Sequence, residues 1–239
     1  AAEEKVKEQA AAEAAKASEP RKEAGFVAVS IGDGLAEIFR GLNVDYIIEG
    51  GQTMNPSTED ILSAIDLTNA KNVFVFPNNK NIILASEQAK ELSDKNVIVI
   101  PTKSIPQAVS ALLAYDEDLS AEDNKEAMCE IIEGVKSVQV TKAVRDTNLD
   151  GNDIKTGDIL GIVDGKIELV GKKNEDVLIS SLDKIVDDDT GIITVFCGEE
   201  IAESGMDKLK AKLTKKYPEC DVTVIYGKQP IYSYIASAE

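Results

Sequence analysis

The sequence predicts an α/β protein made of two related α/β lobes with largely parallel or mixed sheets. Three observations lead there. From Gly25 onward, short apolar runs alternate with amphipathic segments, the pattern of strands and helices that build a parallel sheet. A strand-helix-strand pattern around Asn72 to Ile100 returns about 120 residues later, around Ile192 to Ile225. Between these, Asp164-Gly165 separates two short apolar runs and signals a hairpin.

The elements follow in order. Ala1 to Lys22 is Ala, Glu and Lys with almost no large apolar side chain, so it has no stripe to bury, and a linker is expected over residues 1–24. A linker at the start suggests that another domain precedes it. Phe26 to Ile31 reads as a strand, Gly34 to Leu42 as a helix with Leu35, Ile38, Phe39 and Leu42 on one face, and Tyr46 to Ile48 as a strand. Ser57 as N-cap with Asp60 three residues on opens the next helix, whose buried face is Ile61, Leu62 and Ile65. Strand Val73 to Phe76, helix Ile83 to Leu92, strand Val97 to Ile100, helix Gln107 to Ala114 and exit helix Ala121 to Gly134 complete a first lobe over residues 25–134. The second lobe, residues 135–239, opens with strand Ser137 to Val144. The hairpin of Ile159 to Val163 with Ile167 to Val170 follows, then helix Glu175 to Val186. Its remainder matches the first lobe: Ile192 to Phe196 corresponds to Asn72 to Phe76, the helix around Met206 to Leu213 to that around Ser86 to Leu92, and Val222 to Ile225 to Val97 to Ile100. A generic strand-helix-strand recurrence would read the same way.

Composition excludes several function classes. The longest apolar runs, Val73 to Phe76 and Val97 to Ile100, are far below the ~20 residues of a membrane helix, and there is no basic-then-apolar leader. A cytoplasmic protein without integral membrane contact is expected. The three cysteines, Cys129, Cys197 and Cys220, form no metal-like cluster and no even framework. The chain has no histidine, which removes the commonest acid/base group and metal ligand, so zinc hydrolysis and Ser-His or Cys-His catalysis are not expected. With 43 acidic and 26 basic residues the net charge is -17, which repels nucleic acid. That acidity either solvates the surface or steers a basic protein partner.

Four segments invite a chemical reading. Gly32-Asp33-Gly34-Leu35-Ala36-Glu37 sits where a dinucleotide fingerprint would sit, but Glu37 replaces the third glycine and Asp33 opposes a pyrophosphate. A strand-to-helix turn with Asp33 as cap is expected instead. Asp146 to Gly151 imitates the start of a calcium loop, but position twelve is Gly157 where a bidentate Glu is needed, so a turn is expected. The loop Gly50-Gly51-Gln52-Thr53-Met54-Asn55-Pro56-Ser57-Thr58 crowds polar groups ahead of a helix start, where an anion or a partner could be received; an ordinary capped βα loop is the other reading. Tyr226-Gly227-Lys228-Gln229-Pro230-Ile231-Tyr232-Ser233-Tyr234 offers three tyrosines, either as interface anchors or as packing onto a sheet.

The last two segments, with Phe26 to Gly34 and Phe76-Pro77-Asn78-Asn79-Lys80-Asn81-Ile82, resemble the C-terminal region of bacterial fatty acid kinase A subunits, the proteins with a dihydroxyacetone-kinase-like N-terminal domain. The resemblance runs from about Gly25 to Glu239, and its most specific string is Gln52 to Thr58. It implies a fold of the DegV and dihydroxyacetone-kinase group, and a role in docking the small DegV-like B subunit that carries the fatty acid. The resemblance further implies that ATP and Mg2+ belong to the kinase domains of the full-length protein, where acyl phosphate would be made for phospholipid synthesis. No catalytic, cofactor or metal residue is carried over to this chain. The partner-binding candidates are Gln52, Thr53, Met54, Asn55, Ser57, Thr58, Tyr226, Lys228, Gln229 and Tyr232. The alternative is a degenerate lipid- or phosphate-ligand domain, although no cluster of long apolar residues near the loop announces an acyl tunnel.

Overall fold

The structure, a computed structural model, describes residues 21–51, 54–149 and 152–239. The first half forms β1 (Lys22–Ser30), α1 (Asp33–Gly41), β2 (Tyr46–Glu49), α2 (Thr58–Leu67), β3 (Ala70–Phe76), α3 (Lys80–Leu92), β4 (Asn96–Val99), α4 (Ile105–Leu113) and α5 (Ala121–Gly134). Its four strands make a wholly parallel sheet in the order β2-β1-β3-β4. The strands read as continuous apolar runs because both faces are covered. Phe26, Ala28, Phe74, Phe76 and Ile98 point to one side, Val27, Val29, Val73, Val75, Val97 and Val99 to the other. The Val face takes Ile61, Ala64 and Ile65 of α2 with Ile82 and Ala89 of α3. The aromatic face takes Leu35 and Phe39 of α1, Ala108 and Leu112 of α4, and Met128 and Ile132 of α5.

The second half forms β5 (Lys136–Lys142), β6 (Thr147–Leu149), β7 (Asn152–Ile154), β8 (Ile159–Val163), β9 (Lys166–Gly171), α6 (Asn174–Leu182), β10 (Ile192–Cys197), α7 (Glu203–Lys216), β11 (Asp221–Tyr226) and β12 (Tyr232–Ala238). Six of these strands make a mixed sheet, β11-β10-β12-β5-β8-β9, in which only β10 and β11 are parallel. A register shift between Tyr232 and Tyr234 divides the last strand's side chains. Tyr232 and Ile235 join Phe196 against the first half's aromatic core, while Tyr234 and Ala236 face α6 and α7. Five layers result: α2 and α3, the parallel sheet, α1 with α4 and α5, the mixed sheet, then α6 and α7.

Several expectations need correction. The first strand begins at Lys22, inside the stretch read as linker, because pairing rather than burial extends it: the Lys22 N–H donates to the Asn69 carbonyl at 3.0 Å and its ammonium meets Asp45 at 2.5 Å. Asp33 does not cap α1; Gly32, at φ 82, is the N-cap residue and no side chain bonds there. Pro106 sits in the first turn of α4, where its missing N–H costs nothing, so that helix starts two residues early at Ile105. Around the calcium-like stretch, β6 and β7 pair as a hairpin and the Asp146 carboxylate accepts from the N–H and hydroxyl of Thr156, both at 2.7 Å. Asp150 and Gly151, between the two strands in sequence, lie outside the described residues. Helix α6 ends at Leu182 instead of Val186. No helix among the described residues is long and apolar enough to cross a membrane.

Candidate functional site

In a doubly wound sheet, the place where successive connections turn opposite ways leaves a crevice beyond the carboxyl ends of the two strands concerned. Here that place is between β1 and β3, because the chain goes from β1 to β2 on one side and returns to β3 on the other. The ends of these strands are Ser30-Ile31-Gly32 and Phe76-Pro77-Asn78-Asn79. Asn78 takes a left-handed turn at φ 58, which short polar side chains tolerate. Its amide donates to the Val29 carbonyl at 2.7 Å, its Oδ1 accepts from the Thr102 hydroxyl at 2.7 Å, and its own N–H donates back to that hydroxyl at 3.1 Å. Asn78 therefore ties β1, β3 and the loop after β4 together. Asn79 caps α3 through the Asn81 N–H at 2.9 Å and donates to the Gly51 carbonyl, so it holds the Gly50 loop against the same strand ends.

The two segments singled out by sequence flank the end of β1. On one side, the Gly50 N–H donates to the Ser30 carbonyl at 2.9 Å. On the other, a Cβ at Gly32 would meet Pro230 and the Lys228 carbonyl, and one at Gly34 would collide with the Gly227 carbonyl. Only glycine allows that approach. Of the first segment, Gln52 and Thr53 lie outside the described residues; Met54 is 80 % exposed, and Asn55 is exposed beside it. Ser57 makes the expected capping box, its hydroxyl accepting from the Asp60 N–H at 3.1 Å while the Asp60 carboxylate accepts from the Ser57 N–H at 2.8 Å. The Ser57 hydroxyl, which donates to the Asp60 carboxylate at 2.7 Å, and the Ser57 N–H together hold that carboxyl below its usual range. Thr58 donates to Gln88 of α3 at 3.0 Å, which ties the loop to the helix carrying Leu84, 70 % exposed.

The second segment divides. Tyr226 is half-buried with the exposed Lys228 ammonium 5.6 Å above its ring, and both edge the surface. Gln229 is 1 % exposed and donates to the Phe196 carbonyl at 2.8 Å; Tyr232 is 8 % exposed and belongs to the shared core. Those two residues hold the loop in place and do not present a surface. Lys228 at φ 49 and Ile231 at φ 71 are both left-handed, and for a β-branched residue that is a strained conformation held by its surroundings. Sequence reasoning passed over Ser30, Asn78, Asn79, Thr102 and Lys80 as site residues. The Asn78-Asn79 pair between a strand and a helix was a usable signal, since asparagine favours both left-handed turns and N-caps.

Beside these strand ends lies a cleft of about 860 Å³ between the two sheets. Its walls include Asn79, Lys80, Lys103, Gln107, Lys136 and Asp164. Residues 25–239 match the FakA-like C-terminal family, the C-terminal domains of proteins like the fatty acid kinase A subunit. The chain belongs to that family. It is 46 % identical over 215 residues to protein YloV of Bacillus subtilis, covering 90 % of this chain and 39 % of that protein. It is 42 % identical over 217 residues to the uncharacterized protein SAR1202 of Staphylococcus aureus, covering 91 % of this chain and 40 % of the relative. The chain thus spans about two fifths of the length of these curated relatives. Its fold is similar to that of the DegV family protein Cg2579 from Corynebacterium glutamicum, with a TM-score of 0.67 at 11 % identity over 91 % of this chain and 97 % of the other. It is also similar to the Streptococcus pneumoniae fatty acid kinase B3 protein loaded with linoleic acid, with a TM-score of 0.62 at 14 % identity over 91 % and 99 % of the two chains. The dihydroxyacetone kinase of C. freundii matches at a TM-score of 0.59 and 12 % identity, over 90 % of this chain and 48 % of the kinase. This fatty acid kinase-related domain therefore has the α/β fold of the DegV and dihydroxyacetone-kinase group.

Proposed function

We propose that this domain is the docking part of a fatty acid kinase A subunit, receiving a DegV-like B subunit that presents a bound fatty acid. In this reading it works in the cytoplasm beside the kinase domains of the full-length protein, which bind ATP and Mg2+ and make the acyl phosphate. The observation that carries the reading is that Met54 and Leu84 are both exposed, on a loop and a helix tied together by the Thr58 to Gln88 hydrogen bond. Met54 is a flexible, polarizable contact residue of the kind adaptable interfaces use. Tyr226 and Lys228 are a second rim candidate on the other side of β1. On its own the domain transfers no phosphoryl group, since that chemistry needs metal and phosphate clamps that the reading assigns to the kinase domains.

The test is the affinity of a fatty-acid-loaded B subunit for the full chain and for the Met54→Ser/Leu84→Ser variant. The variant should bind about tenfold more weakly, ~1.4 kcal/mol, with an unchanged melting temperature. A chain that does not bind the B subunit, or a variant that binds it equally well, refutes the docking role or this rim respectively. ATP turnover by the purified chain, abolished by a substitution within it, would refute the division of labour.

A further inference from the structure

Of the seven helices described, five begin with acidic residues in their first turn: Asp33 in α1, Glu59 and Asp60 in α2, Glu122 and Asp123 in α5, Glu175 and Asp176 in α6, and Glu203 in α7. In an acidic protein this is the ordinary way to complement the positive end of the helix dipole. Only α3 and α4 begin with none. Both of those N-termini open on the cleft between the sheets, whose walls include Asn79, Lys80 and Asn81 at the start of α3 and Lys103, Ser104 and Gln107 at the start of α4. Lys80 and Lys103 are exposed, and among the described residues neither is ion-paired. The third lysine, Lys136, is occupied by Asp187 at 2.5 Å. The acids on the walls are Glu133 and Asp164, and Asp164 already accepts from the Ser137 N–H at 2.8 Å.

A second observation is independent of charge. Ser30, at the end of β1, is 3 % exposed, and among the described residues its hydroxyl has no hydrogen-bond partner. An unpaired buried hydroxyl costs stability, so its position favours a bound partner. It lines a small pocket with Gly50, Gly51 and Ile105, and that pocket meets the cleft at Asn78, Asn79 and Gln139.

We propose that this cleft is a binding site for a compact oxyanion, a phosphate or carboxylate group, received between the N-terminal ends of α3 and α4 with Lys80 and Lys103 as counter-charges. Room decides the size of the ligand. The pocket at Ser30 has about 10 Å³, space for one water or one ligand oxygen. Beyond it, Phe74, Phe76, Ile98 and Ile100 fill the interior. The Ser30 pocket has no room for an alkyl chain, so a charged group's oxygen is what its hydroxyl recognises, while the wider cleft also has apolar walls at Ile132, Val135, Ile162 and Tyr232. The site stands apart from docking, because the Met54 and Leu84 rim is not among the cleft walls.

The test titrates the full chain, without any B subunit, with inorganic phosphate, acetate and palmitate while backbone amide shifts are followed by NMR. Phosphate or acetate should shift amides at residues 30, 79–82, 103–105 and 107. The Lys80→Glu/Lys103→Glu variant should bind about tenfold more weakly. The Lys208→Glu/Lys215→Glu variant on α7 makes the same change in net charge away from the cleft and should bind as the parent does. Ser30→Ala, which removes the unpaired hydroxyl without disturbing a bond, should also weaken binding, and melting curves establish that each variant is folded. No shifts with either small anion, or equal losses in the two double-lysine variants, would overturn the proposal. Palmitate binding about tenfold or more tighter than acetate would overturn the restriction to a compact anion.

Discussion

The β3-α3-β4 and β10-α7-β11 units have the same connectivity, two parallel strands joined by one helix, yet their strand ends are opposites. β3 runs into Pro77-Asn78-Asn79-Lys80, without a carboxylate, and faces a cleft. β10 runs into Gly198-Glu199-Glu200 and is closed by its own chain. There the Glu200 carboxylate accepts from the hydroxyl of Ser233 and from the Asn174 amide at 3.0 Å, and the Glu199 N–H donates to the Gln229 carbonyl at 3.1 Å. Cys197, the last residue of β10, is buried deeply enough that its thiol is pushed up to about 11 and stays protonated at neutral pH. The difference teaches that the repeated unit supplies only a scaffold. Whether a strand end becomes a site depends on the few residues that leave it open or seal it, and on the sign of their charge.

The largest effect expected on this comparison comes from the cores. Phe76, fully buried in the core shared by both sheets, should cost about 3–5 kcal/mol as Phe76→Ala; Leu213, confined to the outer core under α7, should cost about 2–5 kcal/mol as Leu213→Ala. Chemical denaturation should show a single transition in both variants, because the shared core couples the sheets. Two separated transitions in Leu213→Ala would show that the repeats unfold independently.

Glycines divide the units next. Gly34→Ala drives a methyl into the Gly227 carbonyl and should cost about 1–3 kcal/mol, whereas Gly205→Ala in α7, with open space around it, should gain about 0.5–1 kcal/mol. Melting temperatures moving in opposite directions would support the close approach of α1 to the Gly227 turn; a neutral Gly34→Ala would remove it.

A smaller effect belongs to the capping box of α2. Ser57→Ala should cost about 0.5–2 kcal/mol at neutral pH. Asp60 is depressed by its bonds to Ser57, so its contribution is present above the unfolded carboxyl value and is lost as pH falls through the lower folded one. The gap between parent and variant should therefore narrow below about pH 4. A gap constant from pH 7 to pH 3 would mean that Asp60 takes no part.

The smallest effect, with no change in stability, is on rate. The net charge of -17 should make association with a B subunit slower between low and physiological salt, as long-range attraction to a complementary surface is screened. A flat association rate measured by stopped flow would remove charge steering from the account and leave the acidity as a solvated surface.

What the sequence determined by itself was local. The bounds of α5 coincide with the predicted Ala121 to Gly134, the hairpin turns at Asp164 and Gly165 with φ values of 45 and 82, and Ser57 with Asp60 closes the expected cap. Each is settled by periodicity, by a backbone angle or by a bond spanning three residues, so nearby residues suffice. Only the tertiary structure could decide that Tyr232 to Ala238 lies in the middle of the mixed sheet, since all seven residues are buried and show no alternation to read. The same holds for the site. Ser30 is an ordinary serine until Gly50, Asn78 and Ile105 close around it, and Lys80 and Lys103 become neighbours of one cleft only because β3 and β4 lie side by side. Such groupings depend on pairings between residues distant in the chain, and no local preference encodes them.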